Sequence, residues 1–297
     1  MRLDLSHGRL AGPELAAGRA SDRTSALQAA AMPPASLRIA DLGFFKVAVL
    51  RQISQAGAFF LTRWQANTAL SDPDGRRWDD IGHALARAPS AGRHGAPLVD
   101  VPVLLGARER VPARLVAVRV RQEVADQRRA QLKRRAQRAG YTARQCSLAL
   151  ADWTILLTNV PVERLSAEEA LVLVRARWQI ELLFKRWKSL GRLDEWRSAQ
   201  PWRILSEVYA KLIGLVVQQW VLVVGCWADA ERSLAKASQV VRQHTLALAQ
   251  GFDTHDTCVA ALIRLTAAMR VGCRLTRRKQ RPSTAQLLLD PSCGGLS

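Results

Sequence analysis

The sequence predicts an α/β fold whose core is interrupted by a β-rich stretch and followed by a long helical region. Three observations carry that expectation. Strand, helix and strand patterns succeed one another over residues 36–64, the order of a parallel crossover. Residues 65–152 then turn to alternating and turn-rich patterns. A buried-type strand returns at Trp153, and helical periodicity runs from there to about residue 271.

The elements follow in order. Met1 to Leu5 alternates, His7-Gly8 supplies a turn, and Arg9 to Gly12 returns, which predicts a short hairpin. Ser25 to Met32 is Ala-rich and helical, and Ser36 to Ala40 is a short strand ending in Asp41-Leu42-Gly43. Phe44 to Gln55 has helical period, and Ala58 to Trp64 is a strand again. Asp72-Pro73-Asp74-Gly75 is a turn and Pro89 to Pro97 a loop; Val99 to Leu105 and Val111 to Val120 are strands. Arg121 to Ala139 reads as a highly basic helix closed by Gly140, and Trp153 to Val160 as a buried strand. The expected organisation is therefore a first part of the core at 1–64 and an inserted, mostly β subdomain at 65–152 with its basic helix at 121–139. The rest of the core follows at 153–230, then a helical, basic region at 231–297.

Charge narrows the function. Across 297 residues, 44 Lys and Arg face 25 Asp and Glu, a net charge of +19. An enzyme for small neutral metabolites gains nothing from such a field, whereas a polyanion does, so DNA or RNA is the expected partner and a small-molecule substrate is not. The five cysteines (Cys146, Cys226, Cys258, Cys273, Cys293) are odd in number and include no CxxC, which argues for a reducing compartment and against a zinc knuckle. The amino-terminal stretch has no apolar signal-type region. The most apolar run, Leu212 to Trp227, is broken by Gln218 and Gln219 and is short of the about 20 residues a span needs. It reads as a buried core helix, and the expected protein is soluble and cytoplasmic, with no membrane partner.

One helix concentrates the charge. Ser166, with Glu169 three residues on, has the spacing of a capping box. If the helix continues to Arg192, then Arg177, Glu181, Lys185, Lys188 and Arg192 fall inside one stripe about 80° wide. Trp178, Ile180, Leu182, Leu183, Phe184, Trp187 and Leu190 occupy most of the remaining circumference, so a helix buried on nearly all sides but for one charged seam is expected. The alternative is a surface helix stitched by i,i+4 pairs, each worth a few tenths of a kcal/mol.

Arg177, Glu181 and Lys188 stand as R-x3-E-x6-K. This resembles the last three members of the Tyr-Arg-Glu-Lys signature of insertion-sequence transposases of the IS-four family; Val174 stands where the family has its Tyr. The segment Ile39 to Phe45 is similar to the family's second-Asp strand, and Phe59-Phe60-Leu61-Thr62-Arg63 to the strand that follows, with its basic end. The resemblance covers roughly residues 1 to 230. It implies an RNase H-like core with a β-rich insertion, and a site in which Asp41 and Glu181 bind Mg²⁺ or Mn²⁺. It also implies that Arg177, Lys188 and Arg63 hold DNA phosphates, with Lys185 and Arg192 extending that track. Asp41 closes a strand, where open sheets collect ligands, with a cap for the helix that follows as the alternative. Trp153 resembles an aromatic that stacks on a base drawn out of the duplex, with core packing as the alternative.

The chemistry so implied is metal-dependent cleavage and strand transfer at DNA ends by a homodimer, with two metal ions activating the nucleophile and steadying the leaving oxygen. Carboxylates suffice for such ions, and the five histidines have no ligand spacing. By the resemblance, the first Asp of the site lies on a strand upstream of Met1, so an amino-terminally truncated chain is expected; Asp4 and Asp22 are the remaining acids near that end. A catalytically inactive DNA-binding remnant and a stand-alone nuclease of the same superfamily are the alternatives. Arg128, Arg129, Lys133, Arg134, Arg135 and Arg138, six cations in eleven residues, are read as a DNA-backbone contact or a solvated face; Arg274, Arg277, Arg278, Lys279 and Arg281 read the same way.

Overall fold

The structure, a computed structural model, describes residues 1–16, 20, 25–88, 98–229 and 231–275. It divides into two compact units: Met1–Gly18 joined with Trp178–Gln280, and a unit built on Arg19–Arg177. The loop read at Pro89 to Pro97, Asp22, and the tail from Arg277 onward lie outside the described residues.

The chain opens with the expected hairpin, β1 (Arg2–Leu3) antiparallel to β2 (Leu10–Ala11), which belongs to the helical unit. The sheet unit follows. It starts with the short helix α1 (Ala26–Ala29), β3 (Leu37–Ala40), a 3-10 turn at Leu42–Phe44, α2 (Val47–Gln55) and β4 (Phe59–Arg63). β3 and β4 pair in parallel, Leu37 beside Phe59 and Ala40 beside Thr62, so the crossover read from the sequence is present. The chain continues through β5 (Leu70–Ser71), α3 (Ile81–Arg87), β6 (Leu98–Leu105), β7 (Val111–Arg119), α4 (Gln122–Arg138), α5 (Gln145–Ala149) and β8 (Trp153–Thr158). Helix α3, capped by Asp80, was not expected inside a β-rich stretch.

All six longer-range strands form one sheet in the order β3-β4-β8-β7-β6-β5. The strands of 65–152 therefore extend the core sheet and share its core. β8 is the hinge of this arrangement, antiparallel to β4 on one side and to β7 on the other.

Strand alternation gives the sheet two apolar faces. One holds Phe60, Leu115, Ala117, Ile155 and Leu157 against Val49, Leu50 and Ile53 of α2 and Leu85 of α3. The other holds Leu61, Leu98, Val116, Val118 and Leu156 against Ala167, Ala170 and Leu171 of α6 (Ala167–Leu173). Leu61, Leu115, Leu156 and Leu157 are fully buried, each worth about 1.5–3 kcal/mol. The capping box that starts α6 is present: Ser166 Oγ accepts from the Glu169 N–H and the Glu169 carboxylate accepts from the Ser166 N–H. On the same face Arg114 pairs with Asp100 at 2.5 Å and also donates to the carbonyls of Val160 (2.7 Å) and Leu165 (3.0 Å), tying β7 to the turn ahead of α6.

The helical unit contains α7 (Trp178–Ser189), α8 (Pro201–Leu222, extended by a π turn over Val223–Trp227), α9 (Leu234–Gln243), α10 (Thr245–Gly251) and α11 (His255–Gly272). Its cores gather Leu222, Cys226, Ala237, Val241, Leu265 and Met269 in one place, and Leu183, Trp187, Leu212 and Leu215 in another. The amino-terminal hairpin is fastened here: Gln219 Nε2 donates to the Gly8 carbonyl at 2.9 Å and Trp227 Nε1 to the Leu5 carbonyl at 3.1 Å. Gly8 has φ +72°, and a Cβ there would stand 2.5 Å from the Trp227 ring.

The run Pro201–Trp227 is longer than the sequence reading allowed and, by length and composition alone, could cross a membrane. It is buried on one side only. Leu212, Leu215, Val221, Leu222 and Cys226 face the unit, while Trp202, Tyr209, Ile213, Trp220 and Val224 are exposed. The expected buried core helix is thus covered on one face only, because composition fixes how apolar a helix is but not how many neighbours cover it.

Candidate functional site

The site is built from the ends of strands. On β3, Leu37 and Ile39 pack under α6 while Arg38 points away to Gln28. Alternation then carries Asp41 to the α6 side. Its Oδ2 lies 3.3 Å from Nη1 of Arg177, and its Oδ1 accepts from the Leu42 N–H at 2.8 Å. One oxygen thus caps the 3-10 turn at Leu42–Phe44, ahead of the helix the sequence reading had it cap, and the other faces a guanidinium.

Arg177 reaches Asp41 because α6 does not run on as one helix. A 3-10 segment, Val174–Arg177, separates α6 from α7. Arg177 closes that segment and belongs to the sheet unit, while α7 opens the helical one. The single stripe from Arg177 to Arg192 is corrected accordingly. Glu181, Lys185 and Lys188 share one face of α7, where both lysines are exposed and Glu181 is half-buried. Arg192 lies beyond the helix, at φ +48°, near Glu195 at 3.8 Å. Nor is α7 buried on nearly all sides: Leu183 and Trp187 are, but Trp178, Leu182 and Phe184 are exposed.

Arg63 ends β4. Phe59 and Leu61 lie in the cluster under α6, so Arg63 emerges on the same face as Asp41, one step past the Ala40–Thr62 pair. Trp153 goes the other way. With Ile155 and Leu157 it faces the α2 and α3 core, half-buried against it, so the core-packing alternative describes where this side chain stands.

The basic helix is only partly open. Arg128 donates to the carbonyls of Trp153 (3.0 Å) and Ala151 (3.4 Å) and to Thr154 Oγ1 (3.1 Å). Arg129 pairs with Asp126 at 2.6 Å and with Asp152. Lys133, Arg134, Arg135 and Arg138 are exposed. Burial, and then the charge of Arg63, hold the Arg128 guanidinium below its ordinary pKa.

Sequence reasoning missed Arg186. It sits on α7 between Lys185 and Lys188 but turns inward, with Nη1 3.4 Å from the Leu234 carbonyl and 3.5 Å from Ser238 Oγ. Burial lowers its pKa to about 10. Nothing local in the sequence marks it, since its acceptors lie some fifty residues away.

Among the described residues no group of three His, Cys, Asp or Glu side chains is placed to hold a metal. Asp4 is used within its own turn. It accepts from the N–H groups of Ser6 and His7, with His7 Nδ1 at 2.8 Å. Burial would raise its pKa, but these bonds outweigh that and hold it low. Cys146, Cys226, Cys258 and Cys273 are free thiols, Cys226 and Cys273 inside the helical unit's core.

Comparison with known proteins gives the family. Residues 3–217 match the family model described as the transposase DDE domain. The chain belongs to the DDE transposase family. The family expected from R-x3-E-x6-K and the Asp41 strand is thus the one found. This DDE domain is 23% identical over 311 residues to the transposase for insertion sequence element IS231E of Bacillus thuringiensis subsp. finitimus, and 24% over 318 residues to that for IS231C of subsp. berliner. Both matches take in 97% of this chain and 64% of the relative, so the chain spans just under two thirds of their length. It is 32% identical over 186 residues to the putative transposase InsL for IS186A of Escherichia coli (strain K12), covering 60% of this chain and 48% of that one.

Proposed function

We propose that this DDE domain cleaves DNA at the ends of an insertion sequence and joins the freed ends to a target, as a homodimer acting in the cytoplasm. The observation that carries the reading is the Asp41–Arg177 pair. It sets the strand-terminal carboxylate against the first residue of R-x3-E-x6-K, four positions before Glu181. The match to the transposase DDE domain over residues 3–217 supports it, and so does the net charge of +19.

Carboxylate oxygens are what Mg²⁺ or Mn²⁺ takes as ligands, so Asp41 and Glu181 fit as two of them. When bound, such an ion supplies an activated nucleophile and charge stabilisation at phosphorus. Arg177 binds a phosphate flanking the scissile bond in the bidentate manner its fork allows, leaving Asp41 Oδ2 free of its present partner. Lys188 and Lys185, on the face of α7 that holds Glu181, neutralise the backbone as point charges, with Arg192 beyond them. Arg63 acts on the same face as Asp41. Gln218 and Gln219, bonded to the carbonyls of Ser238 and Gly8, support a soluble reading of α8.

Replacing Glu181 by Gln tests the assignment. Mg²⁺-dependent nicking of supercoiled DNA is expected to vanish while affinity for duplex DNA is kept or rises; loss of binding would overturn the metal-ligand role. A second reading is a DNA-binding remnant, for which the observation is that no three His, Cys, Asp or Glu side chains are grouped to hold a metal among the described residues. It requires salt-sensitive DNA binding with no metal-dependent nicking by the unaltered chain.

A further inference from the structure

The sheet face that carries Asp41 holds two further guanidinium groups, Arg63 beside Asp41 in register and Arg128 reaching in from α4. Arg128 leaves α4 and is fixed at the start of β8 by two carbonyls and the Thr154 hydroxyl, none of them charged. Those bonds occupy Nη1 and Nη2, so Nε–H and part of the fork stay available. Arg63 stands on the adjacent strand. It is the register partner of Leu156, two residues along β8 from Thr154 on the same face. Arg63 and Thr154 are thus diagonal neighbours, about 7–8 Å apart at the backbone, which brings Arg63 within reach of the guanidinium bonded to Thr154. Among the described residues no carboxylate lies within ion-pair distance of either group. Arg63 is exposed, and its charge acts against that of Arg128. Two like charges set side by side weaken the fold, whereas an anion between them turns that repulsion into a shared attraction.

We propose that Arg63 and Arg128 together clamp one phosphodiester group of a DNA backbone, one strand over from Asp41. The clamp rests on the reading of DNA as the partner. It gives Arg128, which the basic helix hides among five other cations, a separate task from the exposed Lys133, Arg134, Arg135 and Arg138. It also gives the backbone a path across the sheet end from the Asp41–Arg177 pair to α4.

The test is the salt dependence of duplex DNA binding by the full chain, compared across Arg63→Gln, Arg128→Gln, Arg128→Lys and Lys188→Ala. Each Gln variant is expected to weaken binding about 5- to 10-fold at ~0.1 M salt and to flatten the slope of log K against log salt by about one unit. Arg128→Lys should recover most of the slope, because it restores the charge. Arg63→Gln should leave the thermal midpoint unchanged or raise it, since it removes a repulsion and no bond; this variant keeps the test valid if Arg128→Gln fails to fold. A slope unchanged in Arg63→Gln but flattened in Lys188→Ala overturns the clamp and leaves DNA as the partner. No salt-sensitive binding by the unaltered chain overturns both. A thermal midpoint raised by inorganic phosphate alone, and not in Arg63→Gln, with DNA slopes unchanged, replaces the backbone by a free anion.

Discussion

Arg114 and Asp100 are 15% and 13% exposed in their side chains, and the guanidinium also serves two carbonyls at the start of the turn into α6. Taking the arginine away leaves a buried carboxylate without its counter-ion and two carbonyls without donors. Arg114→Met is therefore expected to cost about 3–5 kcal/mol, read as a lower denaturant midpoint; the double variant Arg114→Met with Asp100→Leu should recover much of that loss. At this scale the sequence was informative about ends and poor about partners. The place of Asp41 at a strand end was legible because it closes an alternating strand; the spacing of Arg177, Glu181 and Lys188 was legible too, but not the 3-10 segment that separates Arg177 from the other two. Arg114, Arg128 and Arg186 were not, since each finds its acceptors between 14 and 52 residues away. A run such as Arg128 to Arg138 displays its charges in sequence but not which two of them are already engaged.

At the scale of elements, the break between α6 and α7 decides what the signature residues can do. An unbroken helix would put Arg177 and Glu181 on one rigid face; the 3-10 segment assigns Arg177 to the sheet unit instead. Neither Gly nor Pro marks Val174–Arg177, so local chemistry offered no warning. Helix α7 is held to α9 partly through Arg186, whose two acceptors are distant and neutral. Bonds at 3.4 and 3.5 Å return little of the desolvation cost of a cation. Arg186→Met fills a similar volume without the charge and is expected to stabilise the chain by about 1 kcal/mol, seen as a higher thermal midpoint. A drop of similar size would show that the guanidinium bonds outweigh its burial.

For the molecule as a whole, the α/β class, the parallel crossover and the helical carboxyl-terminal half were legible from period and turn residues alone. The division into units was not. The strands of the β-rich stretch lie in one sheet with β3, β4 and β8, through β7–β8 and β4–β8 pairings that join segments no local pattern connects. The hairpin at residues 1–12 likewise belongs with α8 and its π turn, more than 200 positions on. Gly8 is the tightest point of that union. Gly8→Ala forces a side chain into a left-handed backbone and onto the Trp227 ring, which should cost about 2 kcal/mol or more. Hydrogen exchange would read it as faster opening of β1 and β2, while the amides of β7 and β8 keep their protection.

That union has a consequence for the order of events on the ribosome. At 5–20 residues per second, roughly 10 to 40 s pass between synthesis of Leu5 and of Trp227, whose indole donates to its carbonyl. The strands of the sheet unit are all synthesised within that interval and can pair as they emerge. The hairpin cannot, because two residues per strand are too few to persist alone. Met1 and Leu10, which pack against the cluster of Leu183, Trp187, Leu212 and Leu215, thus find those partners only once α7 and α8 have been made.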